Sequence, residues 1–208
     1  MRITGGEFGG RNLLVPKSDE IRPTQDRVRE ALFNIIQFDV PGCDFLDLFA
    51  GSGAVGLEAL SRGARSVTFV EANRRHVKTL NENLQIVLGP LGRLGSLGPQ
   101  VVAADAYRWI ERYAGPGFSI AFADPPYALG EEKGYAQVLA TLADRGVVRP
   151  NGIFIAEMTA VQKAEETPGW DLVRDRTYGK TRLCIWRRSE TGRCSVSDSM
   201  LTSTAGLS

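Results

Sequence analysis

The sequence has few of the side chains that bind metals or form disulfides. Its 208 residues include three cysteines and one histidine, and no two cysteines have the CxxC spacing. This pattern argues against a structural zinc site and favours a reducing compartment, so we expect no metal and a cytoplasmic protein. No apolar run reaches the roughly 18 residues of a membrane-spanning helix, and the N-terminus lacks a signal-peptide core.

The chain also lacks an excess of charge of either sign. Its 25 Lys and Arg residues nearly balance 24 Asp and Glu residues, so the net charge of +1 does not identify a nucleic-acid partner. Basic residues are nevertheless concentrated in one short region that holds a single acid, Asp175. They are Arg174, Arg176, Lys180, Arg182, Arg187 and Arg188. The region is either a solvated strand face or an anion-binding surface, and the sequence leaves both interpretations open.

From residue 44 onward, the chain contains a regular alternation of strand and helix patterns. Strands are predicted at 45–49, 66–71, 101–104, 118–123 and 153–158, and helices at 54–62, 74–88, 106–113 and 135–144. This alternation is typical of a parallel sheet with crossover helices on both faces. Two further strands, 172–177 and 182–187, are joined by a short turn, which requires an antiparallel pair. The predicted fold class is therefore α/β with an antiparallel hairpin at one edge.

The residues before this alternation predict a small extension. Residues 1–16 contain four glycines between positions 5 and 10, which indicates an irregular β-hairpin. A helix follows, with Thr24 as its predicted N-cap and Val28 and Leu32 on its apolar face. We divide the chain into an extension over 1–40, a domain over 41–188 and a tail over 189–208. The tail is rich in Ser and Thr with little to bury, so we expect disorder there.

A glycine-rich stretch follows the first predicted strand. Gly51, Gly53 and Gly56 have the G-x-G-x-x-G spacing, which permits a tight turn and close approach of a ligand to the backbone. Glu71 ends the next predicted strand, where a carboxylate can accept hydrogen bonds from both hydroxyls of a ribose. Together these residues predict a nucleoside-containing cofactor at the carboxyl ends of the strands.

Asp47 distinguishes between the candidate cofactors. In a dinucleotide site the glycines hold a pyrophosphate, which an added carboxylate would repel. S-Adenosylmethionine (SAM) carries a sulfonium and an ammonium group and no phosphate, so Asp47 favours SAM, while an NAD oxidoreductase stays open as an alternative. Asp105, after the third strand, is either an acceptor for the adenine amine or the N-cap of the next helix.

Asp124-Pro125-Pro126-Tyr127 follows the fourth strand, which lies beside the first at the switch point of such a sheet. The two prolines stiffen the loop. The Asp124 carboxylate and the Pro125 carbonyl supply two acceptors, and Tyr127 supplies a flat aromatic face. An exocyclic amine of an unstacked nucleobase has two N–H groups and a ring that stacks, so this loop predicts methylation of such an amine. The alternative is an ordinary turn. Glu157, at the end of the fifth strand, either faces the substrate pocket or is a solvated acid at a strand end, and the second interpretation is favoured.

These motifs together resemble the RsmD family of bacterial guanine-N2 methyltransferases that act on small-subunit ribosomal RNA. The resemblance rests on Arg2–Gly6, Arg22–Asn34, Asp47–Arg62 and Asp124–Tyr127, and it extends from residue 1 to about residue 188. It implies a class I, Rossmann-like SAM-dependent methyltransferase with a seven-stranded sheet, and we expect a monomer. A DNA adenine or cytosine amino-methyltransferase and a non-catalytic SAM-binding RNA assembly factor stay open as alternatives.

The resemblance also implies roles for individual residues. The catalytic residues are Asp124, Pro125, Pro126 and Tyr127. The cofactor-binding residues are Asp47, Phe49, Ala50, Gly51, Ser52, Gly53, Glu71, Ala72, Asp105 and Ala106, with Thr24 and Arg27 near the SAM carboxylate. The RNA-binding residues are Arg2, Arg11, Arg22, Lys180 and Arg182.

Overall fold

The computed structural model describes residues 1–16, 23–89, 98–125 and 135–190. Their architecture is the predicted α/β fold, with helices packed on both faces of a seven-stranded sheet. Of the tail predicted to be disordered from residue 189, residues 191–208 lie outside the described residues, as does most of the loop before the third strand. Disorder of the tail therefore stays a prediction.

The helices and strands alternate as the sequence predicts. The helices are α1 (Pro23–Ile35), α2 (Ala54–Ser61), α3 (Arg74–Leu88), α4 (Ala106–Arg112) and α5 (Tyr135–Asp144). The strands are β1 (Asp44–Leu48), β2 (Ser66–Glu71), β3 (Gln100–Ala103), β4 (Phe118–Ala123), β5 (Val148–Thr159), β6 (Trp170–Tyr178) and β7 (Thr181–Arg188). None of the described helices is both long enough and apolar enough to cross a membrane.

The strand order places the predicted site at the carboxyl ends of two central strands. The order is β3-β2-β1-β4-β5-β7-β6. Strands β1 to β5 are parallel, and β7 pairs antiparallel with both β5 and β6, which confirms the edge hairpin. Because the winding direction reverses between β1 and β4, their carboxyl ends flank the crevice where ligands bind in open α/β sheets.

Alternate side chains of each strand pack into two separate hydrophobic layers. Phe45 and Phe122 pack with α1, α2 and α3, which we call the α1–α3 layer, whereas Leu46 and Ala121 pack with α4 and α5. Residues 1–16, the N-terminal hairpin, bury Ile3 and Leu13 in the α1–α3 layer. The extension therefore shares a core with the sheet, and a domain boundary at residue 40 stays a prediction.

The N-terminal hairpin is held by α2 and α3 as well as by its own pairing. Glu58 on α2 has no exposed surface, and its carboxylate accepts hydrogen bonds from the Thr4 N–H at 2.8 Å and the Gly5 N–H at 2.9 Å. Asn83 on α3 is equally buried, and its side chain accepts the Leu14 N–H at 2.7 Å and donates to the Leu14 carbonyl at 3.0 Å. Both polar groups are thus satisfied by distant backbone.

The starts of helix α1 and strand β5 differ from the sequence prediction. Helix α1 begins at Pro23, so Thr24 lies in its first turn and the predicted N-cap is wrong. Proline suits the first helical position because its φ is already helical and because an N–H at this position would have no acceptor within the helix. Strand β5 begins at Val148 rather than residue 153, because the chain passes through a register shift against β4 and a φ of 61° at Asn151 instead of turning.

Candidate active site

The turn after β1 has a conformation fixed by left-handed backbone angles. The φ values of Phe49, Gly51 and Gly53 are 60°, 55° and 81°. A positive φ is unusual for a residue with a bulky side chain and marks a backbone that its surroundings hold in place. The Phe49 ring packs edge-on against Tyr107, with 5.3 Å between ring centroids. The turn is therefore a rigid surface at the carboxyl end of β1.

Gly51 and Gly53 in this turn have different surroundings. A Cβ atom at Gly53 would lie 2.1 Å from Cδ1 of Leu80, so packing against α3 excludes any side chain there. A Cβ atom at Gly51 would meet only the Phe49 carbonyl oxygen, at 4.0 Å. Gly51 thus has an open side from which a ligand can approach the backbone, as the sequence predicts.

Acidic residues from β2 and β1 hold this turn. The Gly51 N–H donates to Oε2 of Glu71 at 2.8 Å, and the Gly56 N–H donates to Oδ2 of Asp47 at 2.8 Å. Oε1 of Glu71 also accepts the Asn73 N–H at 2.7 Å and lies 3.7 Å from Nδ1 of His76. Each carboxylate oxygen has two lone pairs, so Glu71 retains acceptor capacity for ribose hydroxyls.

Four acids line the carboxyl edge of the sheet on the side of the α1–α3 layer. These residues, which we call the acidic row, are Glu71, Asp47, Asp124 and Glu157. Each lies two residues beyond a side chain buried in that layer. The buried residues are Phe69, Phe45, Phe122 and Ile155. Because side chains alternate along a strand, all four acids project from the same face of the neighbouring strands β2, β1, β4 and β5.

The electrostatics of the acidic row reflect burial and mutual repulsion. Burial raises the pKa of Asp47 to about 7, the hydrogen bond from Gly56 opposes the change, and the charges of Asp124 and Glu71 add to it. Asp124 is accessible from the open edge of the sheet, yet desolvation by the surrounding protein still raises its pKa. Burial and then the charge of Asp124 raise the pKa of Glu157, while Arg29 acts in the opposite direction.

The acidic row fits a cationic cofactor. Its carboxylates attract the sulfonium and ammonium groups of SAM and repel the phosphates of a dinucleotide, which disfavours NAD. Bound SAM supplies an electrophilic methyl group, and the residues that would hold it are Asp47, Gly51, Glu71 and Asp105. Among the described residues, no three His, Cys, Asp or Glu side chains come together as a metal site would require.

The other predicted cofactor-binding residues differ in burial and in hydrogen bonding. Oδ1 of Asp105 accepts the Arg108 N–H at 2.9 Å, so Asp105 caps α4, and its contact with adenine stays a prediction. Ala50 and Ala106 are buried, whereas Ala72 and Arg27 are exposed. The backbone of Thr24 belongs to α1, and its side chain lies outside the described residues.

The predicted catalytic loop, residues 124–127, is described only in part. Asp124 follows the end of β4 directly and Pro125 is buried. Pro126, Tyr127 and Arg22 lie outside the described residues, so their assignments stay predictions. Glu157 is partly buried beside Asp124, which favours the pocket-facing interpretation of this residue over the solvated strand-end acid. Its position two residues after Ile155 on an apolar strand was the available signal.

The predicted RNA-binding residues divide into two groups. Arg11 donates to the carbonyls of Ile86 and Val87 near the C-terminus of α3, and Arg182 forms a two-point ion pair with Asp175. Both guanidinium groups are therefore engaged within the protein. Arg2 and Lys180 are exposed. Lys180 lies at the tip of the β6–β7 hairpin, and its carbonyl accepts the Ala160 N–H just beyond β5, on the same side as Glu157.

A family model and individual relatives match this chain over most of its length. A family model described as "Conserved hypothetical protein 95" matches residues 1–187. The Escherichia coli (strain K12) protein named "Ribosomal RNA small subunit methyltransferase D" is 34% identical over 193 residues, which cover 92% of each chain. The Bacillus subtilis (strain 168) "Putative rRNA methyltransferase YlbH" is 35% identical over 90% of this chain and 99% of the relative.

Solved structures agree with these relatives. A structure titled "Putative methyltransferase yhhF from Escherichia coli" superposes with a TM-score of 0.76 and 33% identity, covering 92% of this chain and 99% of that chain. A putative methyltransferase complexed with SAH superposes with a TM-score of 0.60 at 18% identity, over 80% of this chain and 50% of that one. At that identity the second match bears on the fold alone.

Proposed function

Because this chain belongs to the family described as conserved hypothetical protein 95, the RsmD family, we propose that it methylates the N2 amine of a guanine in small-subunit ribosomal RNA. The coarser activity, SAM-dependent methylation of small-subunit ribosomal RNA, follows from relatives of that name that match most of this chain. A ribosomal substrate is consistent with a cytoplasmic protein, and we propose that one chain acts alone and without a metal.

The observation that carries the base-amine assignment is the position of Asp124 across from the glycine turn. Strands β1 and β4 pair in register up to Leu48 and Ala123, so Phe49 and Asp124 are the next residues at this edge. A methyl donor on the turn and an amine held by Asp124 can then meet in line. This reaction depends on positioning and electrostatics more than on a strong base.

An exocyclic amine of a base needs hydrogen-bond acceptors for its N–H groups before it can be methylated. Its lone pair is delocalised into the base, so the nitrogen is a poor nucleophile until its N–H groups are held. The Asp124 carboxylate and the Pro125 carbonyl supply two acceptors, and Asp124 receives the proton that the nitrogen loses. The acidic row also selects for the base, because it repels the phosphate backbone and admits a neutral ring that has left the stack.

Methyl transfer from tritiated SAM to small subunits that lack the modification tests this proposal. The expected product after nucleoside digestion is N2-methylguanosine. Methyladenosine, or equal labelling of duplex DNA, would contradict the guanine assignment and favour a different amino-methyltransferase. RNA binding without turnover on any ribosomal substrate would instead support the non-catalytic assembly factor.

Replacement of Asp124 tests the role of the loop. Asp124→Ala should lower kcat by about 10²-fold or more, because it removes an acceptor made for the reacting amine. SAM affinity measured by calorimetry should change much less. Asp144→Ala, at an exposed position at the end of α5, should leave both values unchanged. Loss of SAM affinity equal to the loss of kcat would contradict the assignment of Asp124 to the substrate amine.

A further inference from the structure

Glu157 lies next to Asp124 across two neighbouring strands. Strands β4 and β5 pair in register as far as Ala123 and Ala156, so Asp124 and Glu157 are the next residues along each. Both belong to the acidic row and project from the same face. Neighbouring strands lie about 4.8 Å apart, which places the two carboxyl groups within reach of each other.

Two carboxyl groups so close together do not ionise independently. The first to lose its proton raises the pKa of the second, because like charges repel strongly where water is partly excluded. Burial raises the pKa of both groups here, and the charge of Asp124 raises the pKa of Glu157 further. The pair therefore shares one proton over an intermediate pH range, and we place this proton on Glu157 because its side chain is less exposed to water than that of Asp124.

We propose that Glu157 is a positioning residue for methyl transfer, whose neutral carboxyl group donates a hydrogen bond to one oxygen of the Asp124 carboxylate. The other oxygen of Asp124 is then fixed in the direction of the substrate amine. This inference rests on the proposed function, since it requires Asp124 to hold the amine. A hydrogen bond from a neutral acid to a carboxylate is short and strong, so it orients the acceptor well.

The chemistry balances without any further group. An N–C bond forms between the amine and the methyl group, the S–C bond breaks, and its electron pair goes to sulfur. The nitrogen loses one proton to the free oxygen of Asp124, which releases it to water after the product leaves. Glu157 keeps its own proton throughout and contacts neither the methyl group nor the base.

The pH profile of activity depends on the ionisable groups that surround Glu157. Asp124 lies on the β4 side, and Arg29 faces Glu157 from α1. The Tyr135 hydroxyl from α5 donates to the Glu157 backbone carbonyl at 2.9 Å, and burial raises the pKa of this tyrosine far above the working range. Leu183 pairs with Glu157 from β7 and is apolar. Asp47, on the other side of Asp124, also has a pKa raised to about 7 and therefore contributes to the acidic limb, whereas the alkaline limb is assigned to Glu157.

The resulting pH profile has two limbs with assigned causes. Activity should rise with pH as Asp124 loses its proton and becomes an acceptor. It should fall at higher pH as Glu157 ionises, because the hydrogen-bond donor is lost and a second negative charge faces Asp124. The measurement is kcat for tritiated methyl transfer at saturating SAM, followed from about pH 6 to about pH 9.

Two substitutions separate this role from a structural one. Glu157→Gln keeps an N–H donor but cannot ionise, so kcat should fall a few-fold at neutral pH while the alkaline decline moves up by about one pH unit or more. Glu157→Leu removes the donor, so kcat should fall by about tenfold or more at every pH while the acidic limb remains. Glu166→Gln, at an exposed site, is the matched control and should keep the wild-type profile. Urea unfolding midpoints show whether each variant is folded.

The outcomes distinguish this inference from the proposed function. An alkaline limb that is the same in Glu157→Gln and wild type, or absent from wild type, would overturn the role of Glu157. A folded Glu157→Leu protein with wild-type kcat would also overturn it. Failure of the wild-type protein to methylate any ribosomal base would contradict the proposed function itself.

Discussion

At the scale of the single residue, the burial of the Asp47 carboxyl group makes the free energy of unfolding depend on pH. It is 2% exposed, and its folded pKa of about 7 lies above the ordinary value of 3.8. The folded protein therefore binds more protons than the unfolded chain between these values, so the free energy of unfolding falls as pH rises through this window. A buried carboxylate beside Asp124 and Glu71 is costly until a cation arrives.

Asp47→Asn should consequently stabilise the ligand-free protein. The amide oxygen still accepts the Gly56 N–H, while the desolvated charge is gone. The folded and ordinary pKa values differ by about three units, and one unit corresponds to about 1.4 kcal/mol, so the gain should be at most about 4 kcal/mol at pH 8 and should vanish near pH 4. SAM affinity, measured by calorimetry at pH 8, should fall by about tenfold because an attraction for the cation is lost.

Asp44, at the other end of β1, provides the control with the opposite sign. Hydrogen bonds from Arg65 hold its pKa below the ordinary value, so its ionised form contributes stability above that value which is lost as pH falls. Asp44→Asn should therefore destabilise the protein at neutral pH and leave SAM affinity unchanged. Equal effects of the two substitutions on stability or on cofactor affinity would count against the role given to Asp47.

At the scale of elements, Glu58 connects the N-terminal hairpin, α1 and α2. Besides the two backbone N–H groups, its carboxylate accepts from the Thr4 hydroxyl at 2.7 Å, from Nε of Arg62 at 2.8 Å and from Nε of Arg29 at 3.4 Å. Five donors thus converge on one fully buried carboxylate. Removal of its charge takes one carboxylate from two buried or half-buried arginines, of which Arg29 keeps its ion pair with Asp26.

Glu58→Gln should cost about 3–5 kcal/mol of the free energy of unfolding in urea, as expected when one member of a buried ion network is lost. Hydrogen exchange at Thr4 and Gly5 should accelerate in the same variant. Glu82→Gln breaks an exposed pair with Lys78 on α3 and should change stability by about 0.5 kcal/mol or less. A similar loss in both variants would mean that Glu58 is not the attachment point of the hairpin.

The accuracy of the sequence prediction differed from element to element for physical reasons. The bounds of β2, β4, α3 and α5 were predicted to the residue because their apolar periodicity is uninterrupted. Periodicity says nothing about Glu58 and Asn83, whose partners lie 54 and 69 residues away in the chain. It also could not decide between the two environments considered for Glu157, since the burial of this residue and its neighbour Asp124 come from other strands. The glycine turn was predictable because its requirement is local.

At the scale of the whole molecule, the surface charge is divided between internal pairs and exposed residues. The basic region near the C-terminus includes Arg182, which is bound to Asp175, and Lys180, which is exposed at the active-site edge. The sequence left open whether this region is a solvated face or an anion-binding surface. The charge of Arg182 is paired with Asp175, whereas Lys180 is exposed to solvent.

Substitution of each basic residue should separate RNA binding from stability. Lys180→Ala should weaken binding of small-subunit RNA and reduce the slope of log affinity against log salt by about 1, with an unchanged melting temperature. Arg182→Ala should lower the melting temperature by about 2–4 °C and leave the salt slope unchanged. The reverse assignment of effects would show that the exposed tip of the β6–β7 hairpin does not contact phosphate.

The long-range attachment of the N-terminal hairpin also determines when it can form during synthesis. Residues 1–16 leave the ribosome before Glu58 and well before Asn83, so the segment emerges without either of its anchors. Ile3 and Leu13, which are buried in the finished protein, stay in contact with water until α3 has been translated and released. Nascent chains that end before residue 83 should therefore be protease-sensitive at this segment, although it emerges before the elements that anchor it.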